Sequence, residues 1–165
     1  MRNADLPYYI HCFTHLKRDM KNGGAPHKPI LLLSVISLFE KNIYTNNQIF
    51  ILPELVSSFK SNWSNLVSTN HSPIFAMPFY HLRSESFWEI VPNVGCEKWV
   101  ESKSSMRSLR NLTTAIKFAL IDNKLANLLL IHESRDVLKV GSSLFSVELR
   151  FRAKQQLVLQ SDRSW

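Results

Sequence analysis

The chain has 165 residues, 45% of them apolar and 20% charged, a composition that fits one folded domain and not a disordered chain. Twenty Lys and Arg residues against thirteen Asp and Glu residues give a net charge of +7, so a polyanionic partner is expected. Nucleic acid is favoured over a membrane surface, because no segment combines a strongly cationic face with a broad apolar face.

The first part of the chain predicts three helices. Apolar residues recur at three- and four-residue spacing over 5–21, which predicts an amphipathic helix. A second helix is predicted over 26–41, because Pro26 and Pro29 fit in a first turn and the rest is apolar on almost every side. The turn TNNQ then leads to a short apolar piece, IFIL, before Pro53 begins a third helix. Helix, helix, short strand, helix is the order seen in helix-turn-helix and winged-helix modules.

The middle of the chain predicts β structure. Residues 74–82 and 87–91 are rich in aromatic and β-branched residues, and 83–86 separate them, so a hairpin is predicted. Pro78 would then mark a strand edge or a bulge, because it has no N–H for a sheet. Residues 97–110 are polar and serine-rich, which is typical of a surface loop or a short helix.

The last part of the chain returns to helix after one more strand, predicted over 115–121. Asp122 is expected to cap a helix that buries Leu125, Leu128 and Leu129. Residues 133–159 are predicted to be largely helical, with an interruption near Gly141. The fold class expected from all these elements is α+β, mainly helical with a small antiparallel sheet or hairpin, and winged-helix-like.

The domain boundaries and the compartment follow from the same features. Residues 1–140 are interpreted as one DNA-recognition domain, and 141–165 as its C-terminal helical extension with a frayed basic tail. Cys12 and Cys96 form no CxxC pair and are expected to be reduced. The first ten residues lack the apolar stretch of a signal peptide, and no aliphatic run is long enough to span a bilayer. A soluble, cytoplasmic protein is therefore expected.

Two short patterns are candidates for a binding site. His27 and Lys28 lie in the first turn of the second helix, where free N–H groups and the helix dipole favour an anion such as a phosphate. The alternative is an exposed helix start with no function. Met77 and Pro78 join a pliable apolar side chain to a rigid ring, and core packing is the alternative for this pair.

Metal-dependent chemistry has weaker signals. His11 and His15 are spaced to share a metal ion, but no nearby carboxylate completes a site. Glu101-Ser102-Lys103 and Asp122-Asn123-Lys124 match the acidic-x-Lys tripeptide of some nucleases, and neither has a proline-acid pair upstream. No HNH pattern, Gly-rich phosphate loop or GxSxG elbow is present. The sequence favours a binding module with no cofactor, no metal and no active site of its own, and a metal-dependent nuclease is the alternative.

Four stretches together resemble one family over about residues 5–140: GGAPHKPILLLSVISLFEKNIYTNNQIFILPELVSSFKSNW, PIFAMPFYHLRSESFWEI, FALIDNKLANLLL and SRDVLK. The family is the sulfur-binding domain of phosphorothioate-dependent type IV restriction endonucleases. The resemblance implies a module that binds double-stranded DNA in which sulfur replaces a non-bridging backbone oxygen, as part of bacterial defence. It also implies that cleavage comes from an associated HNH nuclease domain or partner.

The resemblance further implies which residues meet the sulfur. The family builds a cavity around a proline ring with basic residues beside it, and a dry cavity favours sulfur because oxygen loses more hydration there. Pro78 matches the ring, and Met77 stands where a neighbouring aromatic wall is expected. His81 matches a position beside the cavity, and His27 and Lys28 match the basic pair at the helix start.

An arginine from the basic segment is expected to complete the cavity. Arg110 is the first choice, Arg107 the second and Lys103 the third. Arg83 and Lys98, together with Lys103 and Arg107, are the candidates for contacts to the DNA backbone or to base edges. The oligomeric state stays open, a homodimer included. A DNA-binding regulator that does not distinguish modified from ordinary DNA is the second hypothesis.

Overall fold

The computed structural model describes residues 4–20, 24–68 and 70–143, and over these residues the fold is α+β and mainly helical, as the sequence predicts. The helices are α1 (Asp5–Thr14), α2 (His27–Glu40), α3 (Pro53–Leu66), α4 (Ala76–His81), α5 (Glu97–Val100), α6 (Leu109–Ala115) and α7 (Asn123–Leu129). The strands are β1 (Gln48–Ile49), β2 (Trp88–Pro92) and β3 (Ile116–Ile121). A further helical segment covers 132–143. No helix among the described residues is long and apolar enough to cross a membrane.

Helix α2 lies at the centre of the core, and its burial explains its unusual sequence. Nearly every side chain from Lys28 to Phe39 is buried, so an apolar residue is favoured on all sides of the helix. The two prolines of PHKP fit because the first N–H groups of a helix have no acceptor within it. Ser34 is buried as well, and its hydroxyl donates to the Ile30 carbonyl (2.8 Å) and accepts from the Asn62 side chain of α3 (3.1 Å).

A chain of aromatic contacts connects α3 to α4 and to β2. The Phe59 ring meets the Phe75 ring edge-on, with the centroids 5.6 Å apart, and Phe75 stacks on Phe79 at 5.6 Å. Phe79 in turn meets Trp88 edge-on at 5.3 Å, and the Trp88 indole N–H donates to the Phe79 carbonyl (3.0 Å). Since α4 is too short to be stable alone, these contacts and the Tyr80 hydroxyl bond to the Val100 carbonyl (2.6 Å) hold it in place.

The sheet is antiparallel, with the strand order β1-β3-β2. β3 is the central strand, and its register pairs Leu120 with Gln48 on one side and Ala119 with Ile90 on the other. A long connection, residues 93–115, joins β2 to β3 and holds α5 and α6. The predicted order of helix, short strand and helix is present as α2, β1 and α3.

The predicted hairpin between 74–82 and 87–91 is wrong. Residues 76–81 form α4, and β2 pairs with β3 instead. Phe75, Phe79 and Leu82 are all buried, and their spacing of four and three residues is the helical period, which outweighs the β propensity of the aromatic residues. Pro78 is tolerated because it lies in the first turn of α4, where an N–H has no helical acceptor.

Two other predictions change at helix ends. Helix α1 ends at Thr14 and not at residue 21, and the Thr14 hydroxyl donates back to the Ile10 carbonyl (2.8 Å). Asp122 lies at the N-cap position of α7, but its carboxylate accepts from the Tyr9 hydroxyl (2.7 Å) and makes no capping bond. The burial predicted for the three leucines of α7 is confirmed. The helix predicted over 133–159 is confirmed up to 143, but the interruption predicted near Gly141 is wrong, because the helix continues through this residue. Residues 144–165 lie outside the described residues, as does the predicted frayed tail.

Candidate functional site

A cavity of about 310 Å³ opens where the first turn of α2, helix α4 and the segment 17–19 meet. Its wall is mostly apolar, and it brings together the residues predicted for sulfur binding other than Arg110. The lining residues are Lys17, Arg18, Asp19, Ala25, His27, Lys28, Met77, Pro78, His81 and Ser84. Two of the elements involved, α2 and α4, each contribute a first turn that contains a proline.

Helix α4 explains why Met77, Pro78 and His81 line one cavity. In a strand, neighbouring side chains point to opposite faces, and Met77 and Pro78 would be separated. In a helix, His81 follows Met77 by four residues and Pro78 by three, so all three lie on one side. Met77 is half-buried and Pro78 is buried, and they form the apolar part of the wall.

Lys28 is buried, and its ammonium group is bound within the protein. Its Nζ donates to the Lys17 carbonyl (2.7 Å), the Ser84 hydroxyl (2.9 Å) and the Glu85 carboxylate (3.0 Å). An ammonium group has three donors, so these three acceptors use all of them. The structure therefore differs from the expectation of a basic residue that is free to hold a phosphate, because Lys28 joins three parts of the cavity wall instead.

Glu85 is the residue that the sequence reasoning missed. Its Oε1 accepts from Lys28 and from the Lys17 backbone N–H (2.8 Å), and only 9% of its side chain is exposed. The sequence placed it in a loop. One signal could have pointed to it: a lysine inside the apolar start of α2 needs a buried partner, because an unpaired buried charge is very costly.

The segment after α1 folds back over the cavity. Gly24 has φ +91°, a backbone conformation that favours glycine, and a Cβ there would lie 2.6 Å from the Arg18 guanidinium. The Ala25 N–H donates to the Asp19 carbonyl (2.6 Å), which connects segment 17–19 to the residue before Pro26. Lys17 also donates from Nζ to the Ser84 carbonyl (3.2 Å), so this segment is attached to the end of α4.

His27 has its ring between the cavity and α3. Its Nε2–H donates to the Ser72 carbonyl (2.8 Å), and the ring packs against Trp63 with the centroids 4.7 Å apart. Burial lowers the pKa of His27 below its ordinary value, despite the bond to Ser72. His27 is therefore neutral near pH 7, and it offers the cavity no positive charge.

His81 is surrounded by cations. Burial lowers its pKa first, and four cationic side chains lower it further by repulsion: Lys28, Lys103, Arg83 and Arg107. A neutral imidazole therefore lines the cavity near pH 7. Residues 105–107 contact α4, and the Arg83 guanidinium lies over the Tyr80 ring of the same helix. Lys103, Arg83 and Arg107 do not line the cavity, but they belong to the surface around α4, and we call these three residues the basic rim.

The members of the basic rim differ in how they are held. The Arg83 guanidinium lies 4.2 Å above the centroid of the Tyr80 ring and 3.7 Å from a carboxylate oxygen of Glu101. Lys103 and Arg107 are exposed, and neither forms an ion pair within residues 4–20, 24–68 and 70–143. The basic rim therefore holds two exposed cations without an ion pair among the described residues and one cation that packs on Tyr80.

The structure does not bring Arg110 or Lys98 to the cavity. Arg110 is exposed on α6, its carbonyl accepts from the hydroxyls of Thr113 and Thr114, and it is not a lining residue. Lys98 is exposed on α5 and is not a lining residue either. Arg107, the second choice in the sequence, is the arginine of this segment that lies close enough to act on His81.

Several residues of the alternative nuclease and metal hypotheses form other contacts. Glu101 faces Arg83 with 73% of its side chain exposed, and Lys124 Nζ lies 3.9 Å from Asp5. The His11 and His15 rings stack with the centroids 4.0 Å apart. Within the part of the chain that the structure describes, no group of three or more His, Cys, Asp or Glu side chains is placed to hold a metal ion.

The two half-buried histidines of the cavity, His27 and His81, predict how stability depends on pH. The unfolded chain takes up their protons near pH 6.5, and the folded chain does so only at lower pH, so the free energy of unfolding should fall below about pH 6.5. His27→Gln removes one of these groups and should reduce the fall. Urea unfolding at about pH 7.5 and about pH 5.5 measures it. An equal fall in both proteins would show that His27 does not contribute.

Comparison of the chain with protein-family models finds no match, and comparison with curated proteins finds none. The function is therefore inferred from the site itself. Its distinctive features are an apolar cavity, hydrogen-bond donors that are already used within the protein, and a basic rim beside them.

Proposed function

We propose that this chain is a module that binds double-stranded DNA carrying phosphorothioate linkages, with the sulfur seated against Met77, Pro78 and His81. One observation carries the proposal: the two basic residues at the start of α2, which the sequence offers as phosphate ligands, are used internally. All three donors of Lys28 have protein acceptors, and the Nε2–H of His27 is donated to Ser72. The cavity thus offers an apolar wall in the middle of a basic surface.

Such a wall discriminates between sulfur and oxygen by hydration. A phosphate oxygen that enters against Met77 and Pro78 gives up hydrogen bonds to water, and the donors of Lys28 and His27 are already used, which costs free energy. Sulfur is larger, more polarisable and a poorer acceptor, so it gives up less. It also gains dispersion contacts with the Met77 thioether and the Pro78 ring. Both effects favour the modified linkage.

The basic rim supplies affinity without sequence information. Lys103 and Arg107 are exposed cations, and each one placed on a phosphate releases condensed counterions. The cavity volume of about 310 Å³ is roughly ten times the ~30 Å³ that one water occupies in the liquid, so it has room for a phosphate group and not only its sulfur. In this proposal the cavity binds the DNA backbone.

In this proposal the chain recognises DNA and does not cut it. Cleavage of modified DNA would come from an HNH nuclease domain or partner, and the setting would be restriction in the bacterial cytoplasm. The alternative is a regulator that binds every duplex through the basic rim alone, and its supporting observation is that Lys103 and Arg107 are free to bind any phosphate. The two functions differ in one measurable quantity, the ratio of affinities for modified and unmodified DNA.

Pro78→Ala tests the cavity directly. Alanine is well accepted in the first turn of α4, and the substitution removes the ring that the sulfur would contact. We expect the preference for a duplex with one Rp phosphorothioate over the same duplex without it to fall by about tenfold, equivalent to ~1.4 kcal/mol. Fluorescence anisotropy at about 0.1 M salt measures both affinities.

Arg110→Ala is the matched control for that experiment. Arg110 is an exposed arginine on α6 that does not line the cavity, so its loss removes one charge without touching the wall. The ratio of the two affinities should stay as in the wild type. If Pro78→Ala also left the ratio of the two affinities unchanged, the sulfur would not be seated against the proline ring.

A further inference from the structure

We infer that Glu85 contributes to specificity at this cavity: it neutralises Lys28 in the wall, so that Lys28 offers an ordinary phosphate no uncompensated charge. The inference rests on the proposed function. Glu85 does not itself line the cavity. It acts through Lys28, which does.

The geometry places the compensating charge directly on the lysine. Glu85 Oε1 lies 3.0 Å from Lys28 Nζ, and the exposed fractions of the two side chains are 10% for Lys28 and 9% for Glu85. Burial of both partners reduces screening by water, so each charge acts strongly on the other. Lys28 lines the cavity from this paired state.

The consequence for an anion follows from this pairing. A free ammonium group in the wall would attract any phosphate, whether it carried sulfur or oxygen, and would add equal affinity for both. That uniform gain would reduce the share of binding that depends on the sulfur contact. With Glu85 in place, the pair is neutral and the discrimination by hydration dominates.

The other charged groups at the wall do not duplicate this role. Asp19 is the acidic residue among the lining residues, and it lies on the segment that also brings Lys17 and Arg18 to the cavity, so its charge faces cations other than Lys28. Glu101 faces Arg83 and is mostly exposed, so water screens its charge. Glu85 differs from Glu101 because it is buried and bonded to a lysine of the wall itself.

Glu85→Gln tests the inference with little change in shape. The glutamine carbonyl can still accept from Lys28 and from the Lys17 backbone, but the negative charge is gone. We expect affinity for the unmodified duplex to rise by about threefold to tenfold, while affinity for the phosphorothioate duplex rises less. The salt dependence of binding to the unmodified duplex should steepen by about 0.9, the slope of one added phosphate contact.

A gain of affinity separates this role from a structural one. If Glu85 only supported the fold, its loss would weaken binding to both duplexes or change neither. Lys28→Met/Glu85→Gln makes the wall neutral again and should remove the gain seen in Glu85→Gln. This double variant also replaces a broken ion pair by uncharged groups, which a folded protein tolerates better.

Glu101→Gln is the control, because it removes a carboxylate that faces the basic rim and not the wall. It should change the affinities for both duplexes by the same factor. The wild type is measured in the same series, so that a failure of the proposed function can be told apart from a failure of the role of Glu85. Equal affinities of the wild type for both duplexes would contradict the proposed function. A wild-type preference that Glu85→Gln leaves unchanged would overturn the role of Glu85 alone.

Discussion

Lys28→Met should lower the free energy of unfolding by about 3–5 kcal/mol, the usual cost of removing one partner of a buried ion pair. The variant leaves the Glu85 carboxylate buried without its cation. It also removes the bonds that tie the Lys17 carbonyl and the Ser84 hydroxyl to α2. Three parts of the cavity wall thereby lose their common partner, and the cavity should loosen together with the fold.

Urea unfolding monitored by circular dichroism measures this loss. Lys124→Met is the matched control, because Lys124 is 72% exposed and lies 3.9 Å from Asp5, a surface contact that contributes at most about 1 kcal/mol. If Lys28→Met cost no more than Lys124→Met, the buried network would not support the wall. Lys28 would then again be a candidate for binding a phosphate directly.

Met77→Glu should abolish binding to modified DNA, with an affinity loss of at least about 100-fold. Met77 is half-buried in the cavity wall, so the new carboxylate would meet the phosphorothioate, which is also an anion. The fold should be kept, because Met77 lies in the first turn of α4, where a negative charge is favourable to the helix. The variant thus separates binding from folding.

Anisotropy titration of the modified duplex measures the loss, and a thermal melt checks the fold. Val94→Glu is the control with the same change in net charge, since Val94 is 99% exposed and does not line the cavity. It should weaken binding by only a few-fold, as a surface charge in salt does. Equal losses from the two variants would indicate that only total charge matters, and the cavity would have no special role.

The predictions that succeeded depend on strong local signals. The start of α2 follows from two prolines three residues apart, and its central position follows from apolar residues on nearly every side. Helix α3 begins at Pro53, and β3 lies within one residue of its predicted range. In each of these segments, the local preference and the tertiary environment agree.

In helix α4, the local preference and the tertiary environment disagree. Residues 74–82 have the composition of a strand, and a helix of this length has no stability of its own. Its conformation depends on bonds from distant residues: the Trp88 indole to the Phe79 carbonyl and the Tyr80 hydroxyl to the Val100 carbonyl. Sequence periodicity does not report such contacts, and the site residues on this segment were identified through the family resemblance.

The electrostatic partners were the least predictable part of the site. Lys28 and Glu85 are 57 residues apart, and nothing in their local patterns couples them. The position of Lys103 and Arg107 beside His81 likewise depends on how the connection 93–115 folds over α4. The sequence identified the cations near the cavity, but it did not show which of them form ion pairs within the protein. Lys28 is such a case: it was expected to bind a phosphate, and it is buried and paired with Glu85 instead.

The central claim is that this cavity distinguishes one atom in a DNA backbone. The most direct measurement is a competition titration of the wild-type protein with two duplexes that are identical except for one non-bridging atom, Rp sulfur or oxygen, at about 0.1 M salt. We expect a clearly lower dissociation constant for the sulfur duplex. This preference should persist as salt is raised, because the basic rim contributes equally to the binding of both duplexes. Equal dissociation constants across the salt range would contradict it.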